Sequence, residues 1–149
     1  MPSTQNIGRP VEMLLVEDNP ADARLFSAAM KGFDRSYSMK VVGDGIEALD
    51  YLQKKDRYLD AKRPDFIFLD WNLPGKDGGK VLQEIRQDEE LKDIPVMIIS
   101  GLESEEVVDS AYKTGANMFL HKPMNFDRFA HVLLFMVSDF INKRFPKTQ

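Results

Sequence analysis

Cysteine is absent from the 149-residue chain, which excludes a disulfide framework and any thiolate metal site and fits a reducing cytoplasm. Histidine is scarce. His121 and His131 are the two in the chain; we read the first as a solvated edge residue and the second as structural. No apolar run approaches the roughly 20 residues that a membrane-spanning helix needs. Residues 1–10, MPSTQNIGRP, lack the apolar core of a signal peptide and read as a flexible leader. A basic surplus is missing too: the net charge of −4 argues against nucleic acid or an anionic membrane as the main partner. What remains, 43% apolar and 30% charged residues, is an ordinary globular mixture. Without an internal repeat or low-complexity linker, residues 11–149 read as one domain.

Five short apolar runs alternate with helical patterns. VEMLLV (11–16), YSMKVV (37–42), DFIFLD (65–70), IPVMIIS (94–100) and NMFLH (117–121) are β-like. Between them lie ADARLFSAAMKG, stopped by Gly32; GDGIEALDYLQKK, with Ile46, Leu49 and Leu52 at helical spacing; GGKVLQEIRQD, with Val81, Leu82 and Ile85 on one stripe; and SEEVVDSAYKTG, started by Ser104 and stopped by Gly115. A long helix, NFDRFAHVLLFMVSDFINKRF, closes the pattern, and its expected core stripe is Phe126, Phe129, Ala130, Leu133, Val137 and Phe140. Gly32 and Gly115 are expected at left-handed helix ends. Continuously apolar strands imply burial on both faces, hence a parallel sheet covered by helices. The expected class is α/β, a doubly wound (βα)₅ domain of three α/β/α layers. The polar connection KKDRYLDAKRPD (54–65) reads as a hydrated surface loop.

Ligands of open parallel α/β sheets bind beyond the carboxyl ends of the strands. Those ends deliver Glu17 and Asp18 from the first strand and Asp70, followed by Trp71-Asn72, from the third. The fourth delivers Ser100-Gly101 and the fifth His121-Lys122-Pro123. Three carboxylates on one rim repel, each raising the others' pKa, unless a cation compensates. An oxygen-only donor set suits a hard ion, Mg²⁺ or Mn²⁺.

The acid pair Glu17-Asp18, LDWNLPGKDG around Asp70, Ser100-Gly101 and Lys122-Pro123, in this order and spacing, resemble the receiver domain of two-component response regulators. The match covers essentially residues 11–142. The resemblance implies a flavodoxin-like sheet of strand order 2-1-3-4-5. It implies Asp70 as phosphoacceptor from a sensor histidine kinase. Asp18, Asp70 and the Asn72 backbone carbonyl would be metal ligands, with Glu17 acting through water. It further implies Ser100, Gly101 and Lys122 at the phosphoryl group, Phe119 as an aromatic switch, and a cis peptide between Lys122 and Pro123. Trp71 is expected to border the site. Such a protein is a signalling phosphoacceptor and not an enzyme, although it can catalyse its own phosphorylation and dephosphorylation.

The segments VEDNPADARL and GANMFLHKPMNFDRF, with the lengthened loop ending RPD, are most similar to stand-alone regulators partnered with bacterial and cyanobacterial phytochrome kinases. No output domain is expected after the receiver, so the signal would leave through protein–protein contact with a downstream protein. Val132 and Phe135, outside the core stripe of the last helix, form a candidate homodimer face together with the fourth helix and fifth strand. Two rival readings remain. A phosphorylation-independent receiver-fold scaffold would usually have lost an acid or the lysine. A metal-dependent hydrolase on a related scaffold would commonly carry a carboxylate where Asn72 stands.

Overall fold

The computed structural model describes residues 8–102, 104–122 and 125–146. Strands β1 (Val11–Val16), β2 (Tyr37–Val42), β3 (Phe66–Asp70), β4 (Val96–Ser100) and β5 (Met118–His121) alternate with helices α1 (Pro20–Met30), α2 (Gly45–Leu52), α3 (Gly78–Gln87), α4 (Glu105–Thr114) and α5 (Phe126–Arg144). All strand pairs are parallel, in the order β2-β1-β3-β4-β5. This is the flavodoxin-like strand order expected from the sequence.

Alternation along the central strands divides the core into two layers. Leu14, Val16, Ile67, Leu69, Val96 and Ile98 face Ala48 and Leu49 of α2, Val81, Leu82 and Ile85 of α3, and Ala111 of α4. Met13, Leu15, Phe66, Phe68, Met97 and Ile99 face Phe26 of α1 and Leu133, Val137 and Ile141 of α5. Every residue of β3 and β4 is buried, whereas the edge strand β2 is largely exposed. Continuous apolar runs therefore belong to the strands with two covered faces.

Each helix starts on a side chain that accepts a backbone N–H from its own first turn: Asn19, Asp44, Asp77, Ser104 and Asn125. Asn19 accepts from both Ala21 and Asp22, at 2.9 and 3.1 Å. Replacing Asn19 by alanine should cost about 1 kcal/mol, read as a lower urea midpoint at unchanged slope.

Four local expectations are corrected. Gly115 ends α4 in the left-handed conformation at φ 120°, but α1 ends on Lys31 in the right-handed region and Gly32 has no positive φ. Gly32 answers a packing constraint instead: a Cβ there would lie 2.8 Å from Leu134 Cδ1 of α5. On α2, Ile46 is 56% exposed, and Gly45 and Ala48 are buried with Leu49 and Leu52. Gly45 sets that phase, since its missing Cβ would meet the Lys76 carbonyl at 2.1 Å. On α5 the stripe is Phe129, Leu133, Val137 and Ile141, with Phe126 39% exposed and Phe140 half-buried. Finally, the 54–65 connection is not simply a hydrated loop. Tyr58 is buried in it and hydrogen-bonds Glu47 of α2, while Arg57 reaches the same carboxylate at 2.5 Å. Lys54 and Asp56 adopt positive φ to make that return.

Candidate functional site

The strand order reverses between β1 and β3, and the acids stand at the carboxyl ends of those two strands. Backbone ladder bonds run one residue beyond the strands and hold the rim. Glu17 N–H donates to Val42 O at 3.0 Å, Trp71 N–H to Ile99 O at 2.9 Å, and Lys122 N–H to Ser100 O at 2.7 Å. The site residues therefore sit on sheet backbone and not on free loops.

Carboxylate oxygens of Glu17, Asp18 and Asp70 all lie within 4.8 Å of one another. Glu17 and Asp70 are buried and Asp18 is exposed. This donor set fits a divalent hard ion: three oxygens gathered on one side, with solvent above Asp18 for retained waters. Lys122 Nζ lies 2.9 Å from Glu17 Oε1, 2.9 Å from Asp70 Oδ2 and 3.2 Å from Asp22 Oδ2. The second Asp70 oxygen accepts the Asn72 N–H at 3.0 Å, and the second Glu17 oxygen accepts the Asn19 N–H at 3.1 Å.

Burial pushes the Glu17 carboxyl up to about 7, with Lys122 opposing the rise and neighbouring Asp70 adding to it. Burial would lower the Lys122 ammonium, but its hydrogen bonds to Glu17 and Asp70 prevail and raise it above the ordinary lysine value. Lys122 is thus a fixed positive charge. Its ammonium balances part of the negative charge on the rim, while burial first, and then the neighbouring Asp70 carboxylate, raise Glu17's affinity for a proton.

Asp22 was not among the residues picked out by sequence. It stands in the first turn of α1, just after the Asn19 cap, so the cue was an acid one turn into a helix that begins on the rim. Ser100 is fully buried, and its Oγ accepts the Leu102 N–H at 2.9 Å. Gly101 is exposed. His121, expected to be solvated, is half-buried with Nε2 3.1 Å from the Gly101 carbonyl, because β5 places it opposite Ser100. Phe119 is half-buried against the α2–α4 side of the core, and Trp71 borders the site beside Asp70. The Lys122-Pro123 peptide lies outside the described residues.

Residues 13–134 match the family model described as "Response regulator receiver domain". The chain belongs to the receiver family. It is 39% identical to the response regulator Rcp1 of Synechocystis sp. over 116 residues, 78% of this chain and 79% of that protein. Among solved structures, the phosphorylated cyanobacterial phytochrome response regulator RcpA superposes with a TM-score of 0.81 at 35% identity, covering 91% of this receiver and 94% of RcpA. The Mn²⁺-bound form of Rcp1 superposes at 0.80 and 34% identity, covering 94% and 98%. The fold of this receiver is that of a two-component signalling protein, and its rim carries the Glu17, Asp18 and Asp70 cluster that could hold a metal ion. Among the described residues no helix is long and apolar enough to cross a membrane.

Proposed function

We propose that this receiver works in the cytoplasm, accepting a phosphoryl group on the Asp70 carboxylate from the phosphohistidine of a phytochrome-type sensor kinase, and signals by protein–protein contact. The observation that carries the reading is the setting of Asp70: buried, with Lys122 Nζ at 2.9 Å on one oxygen, the Asn72 N–H on the other, and Glu17 and Asp18 beside it. An Asp70 oxygen attacks phosphorus as the bond to the donor imidazole nitrogen breaks. The imidazole leaves with the electron pair and takes up a proton.

Phosphoryl transfer depends mainly on positioning and charge neutralisation. Asp18, Asp70 and the Asn72 carbonyl would hold Mg²⁺ or Mn²⁺ directly, with Glu17 acting through water; the bound ion would neutralise phosphoryl oxygens. Lys122 supplies a fixed counter-charge from the other side. Once Asp70 is modified, the Ser100 hydroxyl can turn from the Leu102 N–H to a phosphoryl oxygen, with Gly101 leaving room beside it. That turn would draw the 100–102 segment inward and leave space for Phe119 to follow. Phenylalanine reports this by packing, since it has no hydroxyl to donate.

Beneath Lys122 a cavity of about 190 Å³ is lined by Asp22, Leu25, Phe26 and Phe126. Leu25 and Phe126 are exposed at its mouth, an apolar rim suited to the kinase helix that carries the histidine. The deciding experiment mixes the receiver with a phosphorylated phytochrome-type kinase and follows intact mass. One added phosphoryl group, gained only with Mg²⁺ or Mn²⁺, is expected. No gain with metal present would overturn the reading.

The homodimer belongs to the same proposal. Phe135 is 71% exposed at the centre of the outer face of α5, and Val132 flanks it half-buried. In an antiparallel two-fold pairing centred on Phe135, His131 would approach Asp139 of the partner subunit, and Asp127 would approach Lys143 of the partner subunit. Asp127 and the partner subunit's Lys143 then place opposite charges on both sides of the aromatic, as an isologous interface needs. Phe135→Glu should shift the protein to a monomer in light-scattering measurements without changing phosphoryl uptake.

A further inference from the structure

The opposite end of the sheet, remote from Asp70, holds a basin of about 750 Å³ where β3, β4 and β5 begin. Arg63, Arg86, Lys92 and Arg144 line it. Arg86 is tied into the structure. It donates to the carbonyls of Gly115, Lys92 and Ile94 at 2.9, 3.0 and 2.7 Å and to Asn117 Oδ1 at 2.8 Å. All four acceptors are neutral, and burial lowers the pKa of Arg86.

Arg63 and Arg144 are much less engaged. Arg63 donates from Nε to the Glu90 carbonyl at 3.2 Å, and Arg144 from Nη2 to the Asp93 carbonyl at 3.0 Å. The Arg144 Nε is buried and has no hydrogen-bond partner among the described residues. Neither guanidinium has a carboxylate at ion-pair distance among those residues; Lys92 alone does, at 2.5 Å from Glu89. Of the two acids lining the basin, Asp65 is held by Arg9 at 2.7 and 3.0 Å. Asp93 is left to face three guanidiniums, in a chain of net charge −4.

A buried N–H without an acceptor is costly, and guanidinium forks not engaged by a carboxylate are a ready donor set for an anion. We propose that this basin is a binding site for a small ligand bearing two or more phosphate groups, gripped by Arg63 and Arg144 over the charge of Arg86. A ligand with two phosphate groups offers each of the two forks its own pair of oxygens, which a single carboxylate cannot do. The volume is that of a nucleotide-sized site.

Inorganic pyrophosphate is the probe. It is titrated calorimetrically into the full chain in chelator, so that no metal bridges it to the acidic rim, with ionic strength held constant. Saturable one-to-one binding is expected, with amide NMR shifts centred on Gly115 and Asn117. Arg63→Gln and Arg144→Gln should each weaken it about tenfold. Citrate, tested alongside, should bind more weakly; equal or tighter citrate binding would overturn the phosphate assignment. Arg144→Lys separates fork from charge and is expected to stay folded while losing most of the affinity. The proposal fails if no saturable heat appears, if the shifts centre on Asp18 and Asp70, or if folded variants at Arg63 and Arg144 bind as the wild type does.

Discussion

Asp70→Asn is expected to remove phosphoryl uptake completely while leaving the receiver folded. The substitution keeps the shape of the side chain and removes the charged nucleophile, so no acyl phosphate can form. Its structural cost is definable. Asp70 uses one oxygen for the Asn72 N–H and the other for Lys122 Nζ. An amide offers one oxygen, so one of the two donors loses its acceptor, and Lys122 can fall back on Glu17 and Asp22. Asp70 is buried, so one such exchange is worth about 1–3 kcal/mol, offset in part by relief of the repulsion from Glu17 and Asp18. Trp71, the only tryptophan, adjoins Asp70, which makes its fluorescence the convenient readout. In the wild type the emission should change on adding Mg²⁺ and again on adding a small phosphodonor. Asp70→Asn should lose the second change, and Asp18→Ala should weaken the first at least tenfold by removing an exposed carboxylate suited to meet the ion. A phosphodonor response in Asp70→Asn equal to that of the wild type would sink the mechanism.

What could be read from the sequence, and what could not, follows a physical division. Strands β1, β3 and β4 announce themselves because both faces are buried, so nearly every residue must be apolar. The rim residues Glu17, Asp18, Asp70, Ser100 and Lys122 were legible for the same reason. Once the strands are parallel, whatever follows each apolar run arrives at one edge. Asp22 escaped because its approach to Lys122 depends on the direction in which α1 leaves the rim. The Glu47–Arg57–Tyr58 cluster escaped likewise, because it joins a helix to a loop that comes back over it. Helical phase was the weakest inference. Ile46 and Phe126 fit their stripes by spacing but sit in first turns, where neighbours other than the sheet decide exposure. Ile141 continues the true stripe of α5, while Phe140 beside it is half-buried. Gly32 shows that a glycine at a helix end need not be there for a left-handed turn. The basin around Arg144 has no signature at all, since its four cations come from four separate segments of chain.

The second large effect concerns Gly78, which no chemical argument from sequence singled out. It opens α3 behind the loop that follows Asp70 and donates its N–H to the Trp71 carbonyl at 3.1 Å. A Cβ at this position would sit 2.3 Å from the Asp70 carbonyl oxygen, 2.7 Å from Trp71 Cα and 2.9 Å from Trp71 O. All three are backbone atoms, so no side-chain rotation can relieve the overlap. Two effects compete in Gly78→Ala. Alanine is the better helix former by about 1 kcal/mol, less at a first helical position. Overpacking against immobile atoms costs about 1–3 kcal/mol and sometimes more. The clash should win, and a net loss of about 2 kcal/mol is expected, lowering the urea midpoint. The Asp70–Trp71 backbone is what must yield, so the damage should also reach the site. Because the Trp71 N–H is fixed to Ile99 O, the shift would pass to Asp70 and alter its approach to Lys122. Mg²⁺ affinity and phosphoryl uptake should therefore fall more than the stability loss alone explains at temperatures where the variant is fully folded. Gly79→Ala is the internal control. Its Cβ would meet the edge of the Trp71 ring at 3.3 Å, and a side chain can give way. If both variants bind metal and take up phosphoryl groups equally well, the close approach of α3 does not hold Asp70 in place.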